Sequence, residues 1–298
     1  SAGIVFNLIF LIGISIAYYW KDIDNVIYFP VFIGILFFTI LGFIDDLKNL
    51  SSVTRLILEF AFLVILFYFV DFRLSIFGFS IKLHSISTLL YAFFALFLIN
   101  ITNFMDGLDF YLAGIFFTFI LNLTFLFGLK NELLYIVLFT YFLSLLPYYY
   151  FNKPDAKLFM GDAGSLPIGF LFALLPIFKD EKFHNFDLAF SFILLPIFFS
   201  DAIYTLIKRT IAKKNILSAH REHLYQIVQD KLFTKRKTIF VFIFVNILPA
   251  FLFYIMKKKN SIPLGIFLAY ALGIVIYFTI YFFYNRKNKK TLEEIETV

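Results

Sequence analysis

Apolar runs follow one another almost from end to end of this chain, each close to the ~20 residues that a helix needs to cross a bilayer. Ten can be marked: 2–19, 26–44, 56–70, 88–105, 110–129, 132–151, 164–178, 187–207, 238–256 and 262–284. Lipid offers no water to an exposed backbone, so such runs must close their own hydrogen bonds as helices. The 298 residues are 61% hydrophobic, against about 45–50% for a soluble domain. Ten spans and short loops leave no room for a separate soluble domain. The reading is therefore an all-α polytopic membrane protein of about ten transmembrane helices, with 1–298 as one integral-membrane domain. The stretch 71–87, "DFRLSIFGFSIKLHSIS", alternates apolar and polar residues around Gly78; a small β-hairpin and an irregular loop are both compatible with it.

Cysteine is absent, which excludes disulfides, thiol catalysis and Cys-ligated metal. The net charge is +6 and lies mostly in loops, where it concerns orientation and anionic lipid, not nucleic acid. Alternating the loops across the bilayer puts 45–55, 106–109, 152–163, 208–237 and the tail 285–298 on one side. That side carries 17 of the 26 Lys and Arg residues, so it is expected to face the cytoplasm. Nine of the 17 lie in the basic loop 208–237, and Lys257–Lys259 runs against the trend. The first span starts at Ala2 with no basic region before it, unlike a signal peptide. With no initiator Met, a processed or truncated product is expected.

Four polar stretches interrupt this apolar background. In "GFIDDLKNLSSVTR", Asp45 and Asp46 end the second span. An Asp costs about 2.5–3.5 kcal/mol at a helix centre in the bilayer and less near an end. Two adjacent acids also repel, which a cation beside them, Mg²⁺ or a basic group, would relieve; the bland alternative is a solvated helix end. In "NITNFMDGLDFYLAG", Asn100/Asn103 and Asn103/Asp106 are i, i+3 neighbours able to share a helix face, with Gly107 expected to end the helix and Asp109 just beyond. Amide oxygens and carboxylates suit Mg²⁺ or a ribose and base edge. One Asn could be satisfied by neighbouring helices; two Asn and two Asp together fit that account poorly. In "KLFMGDAGSLPIGF", Pro167 belongs in a first turn, so the helix is expected to start near Ser165. Its N–H groups would form an anion site, with Asp162 beside it. A carboxylate next to an anion needs a metal between them, unless Asp162 is only an N-cap. In "SAHREHLYQ", His220 and His223 are i, i+3 with Arg221 between; they can bind a metal, grip a phosphate, or merely line an exposed helix. A fifth feature, Asp201, reads as a packed structural acid.

Span alternation, decided without these motifs, puts all four stretches on the cytoplasmic face, as a Mg²⁺–diphosphate site would require. At these residues the chain resembles the polyprenyl-phosphate N-acetylhexosamine-1-phosphate transferases, which include the phospho-MurNAc-pentapeptide translocase and the GlcNAc-1-phosphate transferases that start O-antigen and teichoic-acid synthesis. Asp45-Asp46 match the family's paired acids, with Asn49 where the longer form of that motif has a third Asp. Asn100, Asn103, Asp106 and Asp109 match its Asn/Asp motif, with Phe110 and Tyr111 replacing a Gly-Leu. Gly161–Ser165 match its G-D-x-G-S motif, and "AHREHLYQ" looks like the loop of the O-antigen and capsule-initiating branch. "SAGI" at Ser1–Ile4 looks like the end of the segment that follows the family's first span, so that span is expected to be missing here.

The resemblance implies transfer of HexNAc-1-phosphate from a UDP-N-acetylhexosamine to polyprenyl (undecaprenyl) phosphate at the cytoplasmic face of the bacterial inner membrane, with release of UMP. It implies Mg²⁺, or Mn²⁺ in its place, held by Asn103 and Asp162. Asp45, Asp46 and Asp106 are the catalytic candidates. Asn100, Asp109, Lys48, His220, Arg221 and His223 are the substrate-binding ones. Direct attack and a covalent Asp intermediate both stay open. The family suggests a homodimer. The rival is an ion-coupled transporter, which would hold its Asp and Asn near mid-membrane, usually within internal repeats; no repeat is visible. An intramembrane aspartyl protease would need Gly-x-Gly-Asp, but Phe159 stands two before Gly161.

Overall fold

The computed structural model describes all residues except 22, 71–73, 77–78, 128–131, 176–185, 188–193, 216–220, 259–266, 269–270, 285 and 287–298. The helices among them are α1 (Gly3–Lys21), α2 (Asn25–Lys48), α3 (Ser52–Phe69), α4 (His84–Phe104), α5 (Tyr111–Phe127), α6 (Glu132–Asn152), α7 (Asp162–Phe172), α8 (Pro196–Ile211), α9 (Leu224–Lys231), α10 (Lys235–Lys258) and α11 (Ala271–Tyr284). Among the described residues six helices, α1–α4, α6 and α10, are long and apolar enough to cross a membrane. The other four of the ten apolar runs carry the shorter α5, α7, α8 and α11. Three short strands, β1 (Leu74–Ile76), β2 (Phe79–Ile81) and β3 (Phe186–Asp187), form a sheet ordered β2-β1-β3. β1 runs antiparallel to β2, with Leu74 opposite Ile81, and parallel to β3.

The chain divides into two compact units: residues 1–120 with 127–191, and residues 121–126 with 192–298. At the centre of the first unit lies α7, with every residue from Ala163 to Phe172 buried. It packs most extensively on α2 and α4. The contact with α2 is close because Gly42 has no side chain; a Cβ there would lie 2.3 Å from the Asp162 carbonyl oxygen.

The expected start of α7 near Ser165 is corrected to Asp162, which makes Pro167 its sixth residue. A proline there removes the bond to the carbonyl four residues earlier, that of Ala163. The buried Asn7 of α1 supplies the missing donor, with Nδ2 2.9 Å from the Ala163 oxygen. The interior proline is thus accommodated by a side chain 156 residues away.

The two ends of this first unit differ. At one, Ala2 and Gly3 donate backbone hydrogen bonds to Phe159 and Met160, at 3.0 and 3.1 Å. The junctions after α2, after α4 and before α7 meet there too. At the other, Lys21 ending α1 pairs with Glu132 starting α6, at 3.7 Å. Tyr19 and Trp20 stand about 80% exposed beside it, as aromatic residues do at a membrane surface.

The second unit is held by amides. Asn246 of α10 accepts the Ile197 and Phe198 N–H groups at 3.0 and 3.2 Å, and so caps α8. Asn122 donates to the Leu194 and Asn246 carbonyls at 2.6 and 3.0 Å. Both amides are fully buried.

Candidate active site

The first unit's polar end is built on how α2 stops. Asn49 takes the left-handed conformation at φ 49, and its N–H bonds the Asp45 carbonyl at 2.8 Å. Asn tolerates that backbone better than most residues. The Asp45 carboxylate then accepts the Leu50 N–H at 2.7 Å. Ser51 caps α3 by accepting the Thr54 N–H at 3.1 Å. The next residue, Arg55, faces the end of α2.

The guanidinium of Arg55 gathers the site. Its Nη1 donates to Asp45 Oδ2 at 2.6 Å and to Asp162 Oδ2 at 2.7 Å. Its Nη2 reaches Asn100 Oδ1 at 3.4 Å, and its Nε lies 3.6 Å from Glu59 Oε1. Asn103 donates to the same Asp162 oxygen at 3.1 Å and accepts from the Ser165 hydroxyl at 3.1 Å. Asp45, Asn100, Asn103 and Asp162, drawn from three separate stretches of the sequence, therefore share one network. Sequence reasoning missed its cation and its buried acid, Arg55 and Glu59. The available signal was their i, i+4 spacing at the head of an apolar run.

Asp46 does something different. Its carboxylate accepts the Asp162 and Ala163 N–H groups at 2.9 and 3.3 Å, so it occupies the N-terminus of α7 expected to receive an anion. Gly161 makes this approach feasible. Its φ is 66, and a Cβ would lie 2.5 Å from Asp46 Oδ2.

Past α4, which ends at Phe104 ahead of Gly107, Asp106 is half-buried in the loop and its N–H bonds the Asn103 carbonyl. Burial, then the charges of Asp162, Asp46 and Asp109, push its carboxyl up to about 7. Asp109 accepts the Asp155 and Ala156 N–H groups, each at 3.2 Å, and fastens the loop before α7. Phe110 takes a positive φ of 62, a backbone that favours the Gly of the family motif; its N–H is held by Asn152 Oδ1 at 2.6 Å. Lys48 is exposed in the last turn of α2.

In the second unit, His220 lies outside the described residues. His223 is buried, with Nδ1 3.7 Å from Asp201 Oδ1. Asp201 is itself fully buried and caps α9, accepting the Leu224 and Tyr225 N–H groups at 2.7 and 3.2 Å. Arg221 is exposed and meets Asp230 at 3.3 Å. Buried Arg209 holds Glu222 at 2.8 Å and the Asn215 carbonyl at 2.6 Å.

Among the described residues no three His, Asp or Glu side chains are grouped closely enough to hold a metal alone. Two carboxylate oxygens do converge on one cationic nitrogen, Arg55 Nη1. A pair of hard oxygens fits Mg²⁺, which usually takes one or two carboxylates and completes its shell with water and substrate phosphate.

Residues 28–179 match the family described as glycosyl transferase family 4. The chain is similar to the undecaprenyl-phosphate alpha-N-acetylglucosaminyl 1-phosphate transferase of Thermotoga maritima, 27% identical over 217 residues that cover 72% of this chain and 66% of that protein. It is 26% identical over 241 residues to the phospho-N-acetylmuramoyl-pentapeptide-transferase of Staphylococcus epidermidis, covering 74% of this chain and 75% of that one. It is 23% identical over 251 residues to the probable undecaprenyl-phosphate N-acetylglucosaminyl 1-phosphate transferase of Bacillus subtilis, covering 81% and 69%.

Proposed function

This chain belongs to glycosyl transferase family 4, and on that premise we propose that it transfers HexNAc-1-phosphate from a UDP-N-acetylhexosamine to undecaprenyl phosphate. The products are UMP and undecaprenyl-diphosphate HexNAc, the first lipid intermediate of a cell-surface polysaccharide. The observation that carries the reading is the Arg55 fork. It draws Asp45 from the end of α2 and Asp162 from the start of α7 into one cluster with Asn100, at an end of the apolar helices where a lipid phosphate and a soluble nucleotide can meet.

The chemistry asks for charge control more than for a strong base. A lipid phosphate has a second pKa of about 6 and is largely dianionic at pH 7. Its oxygen attacks the β-phosphorus of the UDP-sugar, and the bond to the UMP oxygen breaks. Asp162 and Asp45, with Asn103 beside them, would hold Mg²⁺, which offsets the charge of the diphosphate when bound. Arg55 adds a fixed positive charge within the same cluster. Asp46, at the N-terminus of α7, fixes the helix on which Asp162 sits. Asp106 stands beside this group as a carboxyl able to take or release a proton near neutral pH. Ten crossings, with α5, α7, α8 and α11 joining the six long helices, would put this end on the cytoplasmic face of the inner membrane.

The test is UMP release in detergent from UDP-GlcNAc, UDP-GalNAc and 6-deoxy UDP-HexNAc sugars, with undecaprenyl phosphate and Mg²⁺ or EDTA. Metal-dependent release from at least one sugar is expected, and release from none overturns the reading.

A further inference from the structure

Glu59 is fully buried in a helix most of whose residues are exposed or half-buried. The buried residues of α3 are Glu59, Leu63 and Phe67, a single stripe at i+4 spacing. The helix packs that side on α4, where Asn100 sits. An acid in a span is costly and is retained for a purpose. Glu59 lies one turn along α3 from Arg55, beneath the cluster that holds Asp45 and Asp162.

The purpose follows from donors and acceptors. A carboxyl oxygen accepts from an amide N–H, whereas an amide both donates and accepts. Asn100 Nδ2 donates to Glu59 Oε2 at 2.5 Å and to the Leu96 carbonyl at 3.0 Å. That turns Asn100 Oδ1 toward Arg55, at 3.4 Å from Nη2. Glu59 Oε1 stands on the Nε side of the guanidinium at 3.6 Å, which leaves Nη1 for Asp45 and Asp162. We propose that Glu59 is a positioning residue for the transfer reaction: one buried carboxyl group sets the direction of a hydrogen-bond chain from Glu59 through Asn100 and Arg55 to Asp45 and Asp162. This rests on the reaction assigned above and adds that the cluster is aimed from inside the membrane. A glutamine in its place accepts and donates equally well, so the chain loses its fixed direction while the shape is kept.

The test is a double-mutant cycle on the full chain in nanodiscs, using Glu59→Gln, Arg55→Ala and the double variant, with Mn²⁺ binding by electron paramagnetic resonance, UMP release and thermal melts. Glu59→Gln should melt within a few degrees of the native chain and lower kcat at least tenfold. Its KM for the UDP-sugar should change less than threefold, and Mn²⁺ should bind at least threefold more weakly. In the Arg55→Ala background it should change kcat and Mn²⁺ affinity less than twofold, because Glu59 acts through Arg55. Native kcat in Glu59→Gln, or losses that multiply in the double variant, overturn the proposal. If Glu59→Gln does not fold, Glu59→Asp, which keeps the carboxyl group but shortens its reach, must show the same split between kcat and KM; native kcat there overturns it equally. If the native chain releases no UMP from any sugar, the assigned reaction fails on its own. The Mn²⁺ cycle then decides about Glu59: equal weakening with and without Arg55 marks a bare charge effect and overturns positioning.

Discussion

Asp106 shows how a single residue can be kept at a cost to the fold. Burial and the charges of Asp162, Asp46 and Asp109 raise its carboxyl to about 7, against about 3.9 when free. The folded state thus binds this proton more tightly than the unfolded chain. Stability is lost as pH rises from about 4 to about 7 and is level above that. Asp106→Asn removes the penalty. In EDTA it should be more stable than the native chain, by about 1–3 kcal/mol at pH 8 and by much less at pH 5, and so melt higher, while UMP release with Mg²⁺ falls at least a hundredfold. A lower melting temperature at pH 8 would show that the carboxylate is stabilising. Residues of this kind were legible in the sequence because polar groups are conspicuous against apolar spans. Glu59 was not, since a lone acid shortly after a polar turn looks like an unremarked helix start. Only its contacts with Asn100 and Arg55 reveal what it faces.

Helices were legible by length and composition, but where α7 begins was not. Proline preference placed the start near Ser165, three residues late, because the partners that allow an earlier start, Asp46 and Asn7, come from other helices. Local propensity carries no record of them. Their contributions can be separated. Asn7→Leu leaves the Ala163 carbonyl without its donor in a buried place, at about 1–3 kcal/mol, and should lower the melting temperature with little change in kcat. Gly42→Ala puts a Cβ against the Asp162 carbonyl. Overpacking of this kind costs about 1–3 kcal/mol, and here it also displaces a residue of the cluster, so kcat should fall at least tenfold. Equal effects of the two changes on kcat would mean that α7 moves as a rigid rod whichever contact is disturbed.

At the scale of the whole molecule, the lysine and arginine asymmetry predicts an orientation that the absence of cysteine makes simple to check. Lys153→Cys and Lys213→Cys should react with a membrane-impermeant maleimide from the cytoplasmic side, and Lys21→Cys from the other. Labelling of Lys21→Cys and Lys153→Cys from one side would overturn the orientation. One feature of the architecture bears on how the protein is made. Among the described residues three helices begin on caps borrowed from other helices: α7 on Asp46, α8 on Asn246 and α9 on Asp201. Asp46 leaves the ribosome 116 residues before the helix start it serves, so α7 emerges to find its partner already in the bilayer. Asn246 is made 49 residues after Ile197, so α8 must wait, its first N–H groups unsheltered, until α10 has been synthesised. A nascent chain arrested between the two would therefore hold a finished α7 and an unfinished α8, and it is during that interval that a protease or an insertase would find the protein open.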